Sequence, residues 1–168
     1  DQLVASGAFE DERIGLLDGM LVTMTPQDAA HAHTVQRLAE LLFAALTGRA
    51  IVRVQAPLAL LDDSEPEPDI AVVPLGDYSS HHPGKVDLVV EVAGSSLRRD
   101  REVKGPIYAR AGVPEYWLID LRGRAVEVSR DPGPSGFGTV TRHAGDETLT
   151  PLRHPRLTLV IRDVLPNL

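Results

Sequence analysis

The spacing of apolar residues along the chain predicts one long helix followed by a strand. From Gln27 to Leu46 apolar side chains recur every three or four residues, as on one face of an α-helix. Asp28 can cap the start of this helix, and Gly48 follows its end. Residues 51–60 then alternate, which predicts a strand with one apolar face. That face comprises Val52, Val54, Ala56, Leu58 and Leu60.

Two later segments, Ile70–Val73 and Val86–Val92, are apolar at almost every position, which is typical of strands covered on both sides. Asp69 lies at the start of the first strand. Glu91 lies within the second, on the opposite face from Val90. A lone buried carboxylate is costly unless a cation or hydrogen bonds compensate it. Two explanations stay open: a functional site, or an ion pair with an arginine from the following turn.

A helix is predicted from about Leu97, ending near Gly112. Pro106 removes a hydrogen bond from a helix interior, so the helix either bends there or begins there with Lys104 just ahead. The helical spacing brings Lys104 and Tyr108 onto the face that meets the sheet. Arg98, Arg99 and Arg101 are expected to be more exposed to solvent.

The remaining pattern predicts two hairpins. Asp18-Gly19 forms the turn of the first, between Leu16-Leu17 and Met20–Met24. The strand PEYWLID turns at Arg122-Gly123 into Arg124–Ser129, followed by a loop over DPGPSGFG and a short strand near Thr139. A final strand at Leu157–Val160 precedes a short helix at Arg162–Leu165. The fold class is therefore α/β: a single domain with a central mixed β-sheet flanked by helices.

Composition narrows the class of protein. The 168 residues, 43% of them hydrophobic, suit one soluble globular domain. The chain contains no cysteine, no membrane-length apolar run and no basic-then-apolar leader, so we expect a cytoplasmic protein without disulfides. The net charge of −7 argues against coating nucleic acid through bulk positive charge. It remains compatible with a local basic patch beside a metal-loaded acidic site.

Several common catalytic motifs are missing: GxxxxGK[ST], GxGxxG after a strand, HExxH and GxSxG. What remains is Asp69, Glu91 and Lys104. Two carboxylates on strands can hold Mg²⁺ or Mn²⁺, with the carbonyl of Val92 as a further ligand. The Lys104 ammonium could orient water or stabilise charge on phosphorus. The adjacent His81 and His82 suggest zinc, but they lack a third ligand nearby, so a surface loop is favoured.

Three sequence blocks resemble the Uma-two family of restriction endonucleases, which has the PD-(D/E)xK nuclease fold. They are EPEPDIAVV, VDLVVEVAGSSLRRDREVK and YARAGVPEYWLID. The resemblance implies a restriction-endonuclease-like fold in which Pro68-Asp69 is the PD element, Glu91 the acidic residue and Lys104 the lysine, displaced onto the following helix. It also implies an accessory role for His31, which matches a histidine at the start of the family's first helix.

The chain departs from the family pattern near its N-terminus. Gly15 and Met20 stand where the family commonly has acids, and GSS replaces the usual SPS after the second strand. These changes spare Asp69, Glu91 and Lys104 but weaken any accessory acidic role near the N-terminus.

The expected function is Mg²⁺- or Mn²⁺-dependent endonucleolytic hydrolysis of DNA. Asp69 and Glu91 would be the metal ligands, and Arg98, Arg99 or Arg101 would contact phosphate. Two alternatives remain: a non-catalytic interaction domain that retains the nuclease scaffold, and a metal-dependent hydrolase of small phosphodiesters. We also expect self-association into a homodimer, because nuclease domains of this size often need a partner to cut both strands.

Overall fold

The computed structural model describes residues 14–23 and 28–166. The described chain starts with a hairpin of β1 (Ile14–Leu17) and β2 (Met20–Thr23). Its turn is Asp18-Gly19, and both residues have positive φ, as a tight hairpin turn requires. The predicted hairpin is confirmed, and Met24 lies outside the described residues.

Helix α1 spans Ala29–Leu46. The side chain of Asp28 caps it by accepting a hydrogen bond of 2.8 Å from the His31 amide, and Gly48 follows with a φ of 72°. The apolar face of α1, including Leu38 and Leu42, is buried against the sheet. The predicted helix is confirmed, although Gln27 lies outside the described residues.

A mixed six-stranded sheet forms the centre of the fold. In spatial order its strands are β3 (Ile51–Val54), β4 (Ile70–Val73), β5 (Leu88–Ala93), β6 (Glu115–Asp120), β7 (Ala125–Gly133) and β8 (Gly136–Ala144). Only the pairing of β5 with β6 is parallel. A parallel pair needs a crossover connection, and the helical segment between these two strands provides it. That segment therefore packs on the sheet face opposite α1.

The crossover is helical throughout but changes its winding. It runs through α2 (Leu97–Arg99), a π-helical turn (Asp100–Lys104) and α3 (Gly105–Arg110). Pro106 lies in the first turn of α3, where its missing N–H costs least. Of the two alternatives for Pro106, the structure is closer to the second, in which an α-helix begins at the proline with Lys104 just ahead. The residues before it are also helical, but they form a π-helical turn.

The two faces of the sheet have separate apolar clusters. One lies under α1 and includes Val90, Val92 and Trp117, and the other includes Val89, Ala93 and Tyr108. The alternation predicted for the strand around Glu91 is confirmed within β5.

After β8 the chain forms a small antiparallel pair, β9 (Thr148–Leu149) with β10 (Leu159–Val160), and then α4 (Ile161–Val164).

Two predicted features are wrong. The strand predicted over 51–60 ends at Val54, because Gln55 adopts a φ of 48° and leaves the ladder, and Val54 is 38% exposed. The loop predicted over DPGPSGFG is instead the paired end of the long hairpin β7–β8. Its Pro and Gly residues lie at the hairpin tip, where Gly136 has a φ of 127° that glycine tolerates best.

Across residues 14–23 and 28–166, none of the helices has the length and apolar character needed to cross a bilayer.

Candidate functional site

The register of β4 and β5 brings Asp69 and Glu91 together. The ladder between these antiparallel strands ends at the pair Ile70–Val90. Continuing the same register by one residue sets Asp69 opposite Glu91, and side chains of directly opposed residues lie on one face of a sheet. The two carboxylates predicted from the sequence are thus neighbours, and both are buried.

Asp69 is held by one main-chain and one side-chain donor. Its Oδ2 accepts a hydrogen bond of 2.8 Å from the Val92 amide and lies 3.0 Å from Nε2 of His31. In the first contact, the carboxylate of Asp69 takes the place of a main-chain carbonyl and extends the hydrogen bonding between β4 and β5. The second links the first turn of α1 to the site, so the structure brings His31 to the predicted carboxylate.

The environment of His31 favours its charged form. Burial is the largest influence and lowers its pKa, but the hydrogen bond and charge of Asp69, with the charges of Asp28 and Glu91, outweigh burial and raise the pKa above its ordinary value. His31 is therefore suited to hold the Asp69 carboxylate in a fixed orientation.

Glu91 is only 3% exposed and is bonded through one of its oxygens. Its Oε1 accepts two hydrogen bonds, one of 2.8 Å from Nζ of Lys104 and one of 2.6 Å from the hydroxyl of Tyr108. Burial raises the pKa of Glu91 to about 7; Lys104 opposes this, while the charges of Asp69 and Asp100 add to it. The alternative of an arginine partner for Glu91 is wrong, because the cation that reaches it is Lys104.

Lys104 lies between two carboxylates. Besides Glu91, its Nζ is 3.6 Å from Oδ1 of Asp100, a side chain that is 2% exposed and also accepts a hydrogen bond from the Ser96 hydroxyl. Burial lowers the pKa of Lys104, but the charges of Glu91 and Asp100 outweigh it and raise the pKa above its ordinary value. Lys104 thus stays charged, and an ammonium has three donors, so it retains capacity for a water or a phosphate oxygen.

Sequence reasoning missed Asp100 and the role of Tyr108. Both lie one helical turn from Lys104, Asp100 before it and Tyr108 after it, so i±4 spacing from the lysine would have found them. Burial raises the pKa of the Tyr108 hydroxyl well above its ordinary value, which keeps the hydroxyl protonated and able to donate. Asp100 and Lys104 are the first and last residues of the π-helical turn, and such turns are frequent at functional sites.

Among the described residues, none of the three predicted phosphate contacts is bonded to Asp69, Glu91 or Asp100. Arg98 is exposed and bonded to Glu102, and Arg101 makes two hydrogen bonds to Glu127 on β7. Arg99 is half-buried, and its Nε has no hydrogen-bond partner among the described residues. In this arrangement a phosphate would have to compete with a carboxylate for Arg98 and Arg101.

His81 and His82 are exposed in the connector between β4 and β5, as favoured from the sequence.

The donor set suits a hard divalent cation. Within the described ranges 14–23 and 28–166, no hydrogen bond engages Oδ1 of Asp69 or Oε2 of Glu91. The same ranges contain no cluster of three His, Cys, Asp or Glu side chains with metal-binding geometry. Mg²⁺ nevertheless keeps several waters and commonly takes only one or two carboxylates. Asp69, Glu91 and the Val92 carbonyl, all oxygen donors, therefore fit Mg²⁺ or Mn²⁺.

Comparison with known proteins identifies the family of the chain. The sequence profile of the Uma2 (Uma-two) family, described as "Putative restriction endonuclease", matches residues 2–162. The chain belongs to the Uma2 family. None of the curated proteins compared shows significant similarity to it.

A solved structure confirms the fold class. The crystal structure of a putative nuclease belonging to DUF820 from Anabaena variabilis superposes on this Uma2 chain with a TM-score of 0.75. The two share 16% identity, and the match covers 92% of this chain and 90% of the other. At that identity the likeness establishes the restriction-endonuclease-like fold alone. Family and fold together support a nuclease.

Proposed function

We propose that this Uma2 protein is a metal-dependent endonuclease that hydrolyses DNA phosphodiester bonds at Asp69, Glu91 and Lys104. The observation that carries the proposal is the juxtaposition of two carboxylates on one sheet face, with a half-buried lysine bonded to the second. Such an acid–acid–lysine set needs no Gly-rich loop and suits phosphodiester hydrolysis.

The chain's own residues have separate roles. Asp69 and Glu91, with the carbonyl of Val92, would hold Mg²⁺ or Mn²⁺. The bound ion would supply Lewis-acid stabilisation of charge on the phosphate. Each carboxylate has one oxygen bonded to protein donors and the other without a hydrogen bond among the described residues, so its orientation is set before a ligand arrives.

Lys104 supplies the positive charge that the protein itself brings to the reaction. Its ammonium, held beside Glu91, can orient an attacking water and stabilise negative charge developing on the phosphate oxygens. His31 orients Asp69, and Asp100 orients Lys104. His31 and Asp100 can therefore act without touching the substrate.

A second function, a non-catalytic interaction domain on the nuclease scaffold, is favoured by one observation. Two of the three expected phosphate contacts, Arg98 and Arg101, are paired with Glu102 and Glu127, in a chain of net charge −7. Few cations beside the site are then free to hold a DNA backbone. A hydrolase of small phosphodiesters would need fewer of them, and remains a third alternative.

Plasmid nicking distinguishes these functions. Wild type with Mg²⁺ or Mn²⁺ should convert supercoiled plasmid to open circles, and Asp69→Ala should abolish the conversion without changing the circular-dichroism spectrum. Glu40→Gln, on the exposed face of α1, is the matched carboxylate control and should nick normally. If wild type does not nick plasmid but hydrolyses a small phosphodiester such as bis(p-nitrophenyl) phosphate, the third function replaces the first. If it does neither and binds no Mn²⁺, the interaction domain is supported.

A further inference from the structure

A basic pocket lies at the opposite end of α1 from the candidate active site. The cavity, of about 530 Å³, is enclosed by the last turn of α1 and the segment 153–158. Its polar lining is cationic, with guanidinium groups from Arg49, Arg153 and Arg156 and the imidazole of His154. Its volume is within the range of small-molecule sites.

The three arginines of this pocket differ from six others, which are paired with carboxylates. These six are Arg37, Arg98, Arg101, Arg110, Arg130 and Arg162. In the part of the chain that the structure describes, no carboxylate lies within salt-bridge distance of Arg49, Arg153 or Arg156. Only His154 has an acidic partner, Asp87, at 3.1 Å. The pocket therefore concentrates uncompensated positive charge on an acidic protein.

The negative end of the α1 dipole offsets only part of the positive charge in the pocket. The C-terminus of α1 carries a partial negative charge of about half an electron, which one adjacent cation such as Arg49 would satisfy. Arg153 and Arg156 belong to a separate segment that folds back over the helix end. Three exposed guanidinium groups around one cavity create a local positive potential, which attracts an anion.

We propose that this pocket binds a small phosphate ester about the size of a mononucleotide. Guanidinium groups match phosphate oxygens with paired hydrogen bonds, and the apolar part of the lining, Ala45, Leu46 and Leu157, offers contact area for the organic portion of an ester. The site is separate from the nuclease centre, because the stretch of α1 from His31 to Leu46 spans roughly 22 Å at 1.5 Å per residue. It does not depend on the proposed hydrolytic activity.

Calorimetric titration of the full chain with deoxyadenosine monophosphate (dAMP), at low ionic strength and without divalent metal, tests the proposal. Arg153→Ala/Arg156→Ala should weaken binding at least tenfold, and Arg122→Ala, another exposed arginine without a carboxylate partner among the described residues, should leave it unchanged. Inorganic phosphate should bind at the same site but more weakly. No dAMP binding to wild type, or equal losses in the Arg122 control, would overturn the proposal, as would phosphate binding as tightly as dAMP.

Two further measurements separate this site from the active site. Asp69→Ala should bind dAMP as wild type does, whether or not it nicks DNA, so failure of the nuclease proposal leaves this test intact. A single-stranded oligonucleotide without a terminal phosphate should not displace dAMP. Displacement would show that the pocket holds nucleic-acid backbone instead. Thermal unfolding of the double variant checks its fold, and the single variant Arg153→Ala, expected to lose binding partially, provides the test if the double variant unfolds.

Discussion

Nζ of Lys104 lies 2.8 Å from Oε1 of Glu91, although the lysine is on the crossover helix and the glutamate on a central strand. The contact explains how a buried carboxylate is tolerated in β5. It also joins the two halves of the proposed site, because Glu91 would bind the metal and Lys104 would act on the water or phosphate. The first prediction concerns this pair.

Lys104→Ala should reduce metal-dependent nicking by about two to three orders of magnitude, because a preorganised charge at the reacting phosphate is lost. It should also raise the pKa of Glu91 above about 7, since Lys104 is the main influence that lowers it. Glu91→Gln should abolish nicking. Rates of plasmid conversion at saturating Mn²⁺ measure both effects, and equal rates in wild type and both variants would refute the assigned roles.

Metal affinity should depend on pH through Glu91. Its carboxyl must ionise to bind a cation, and its pKa of about 7 means that metal binding displaces a proton below that pH. Calorimetric titration with Mn²⁺ should therefore show roughly tenfold weaker binding at about pH 6 than at about pH 8. Identical affinities at the two pH values would contradict the prediction.

The same pKa shift predicts how the metal-free protein responds to pH. The pKa of Glu91 is higher in the folded chain than in the unfolded chain, so the folded state binds the extra proton. This contribution to the free energy of unfolding is fully present below the ordinary glutamate pKa and is lost as pH rises through about 7. Chemical denaturation across this window, with chelator present, measures the loss, and Glu91→Gln should remove that component.

Asp100→Asn should lower nicking about tenfold or more by leaving Lys104 without its second carboxylate. Because Asp100 acts through Lys104, the change should appear in the rate at saturating metal and not in Mn²⁺ affinity. Ser96→Ala removes only the hydroxyl that bonds Asp100 and should have a smaller effect. Equal damage to metal affinity and rate would indicate general disruption of the site.

His31→Ala should weaken Mn²⁺ binding about 10- to 100-fold, as expected when the partner of a metal-ligating carboxylate is removed. The bond from His31 to Oδ2 of Asp69 is the physical reason. His33→Ala is the matched control, since His33 is exposed on the same helix. Unchanged affinity in His31→Ala would leave the histidine with a packing role only.

Glu115→Ala should reduce stability without changing the nicking rate per folded molecule. Glu115 is fully buried at the start of β6 and accepts hydrogen bonds from Arg130, Trp117 and the Leu152 amide. Removing it leaves these donors unpaired, at a cost of about 3 kcal/mol in the free energy of unfolding. Urea denaturation measures the cost, and a matching loss of nicking by the folded fraction would contradict the structural role.

The sequence by itself determined most of the elements and, within them, Asp69, Glu91 and Lys104. Helical spacing located α1, because burial of one face imposes that period, and near-continuous apolar runs located β4 and β5, which are covered on both faces. Glu91 was singled out by the free-energy cost of placing a carboxylate in an apolar strand. Turn residues were less reliable: the Pro and Gly residues of DPGPSGFG mark a hairpin tip, since local preference cannot show how far two strands stay paired.

Only the tertiary structure decided which groups meet. The register of β4 against β5 sets Asp69 opposite Glu91, and the packing of the crossover on the sheet brings Lys104 to Glu91. Arg101, expected to contact phosphate, is instead bonded to Glu127 of a strand that follows it in the chain. These outcomes depend on strand order and helix winding, which bring together residues distant in sequence. No local pattern carries that information.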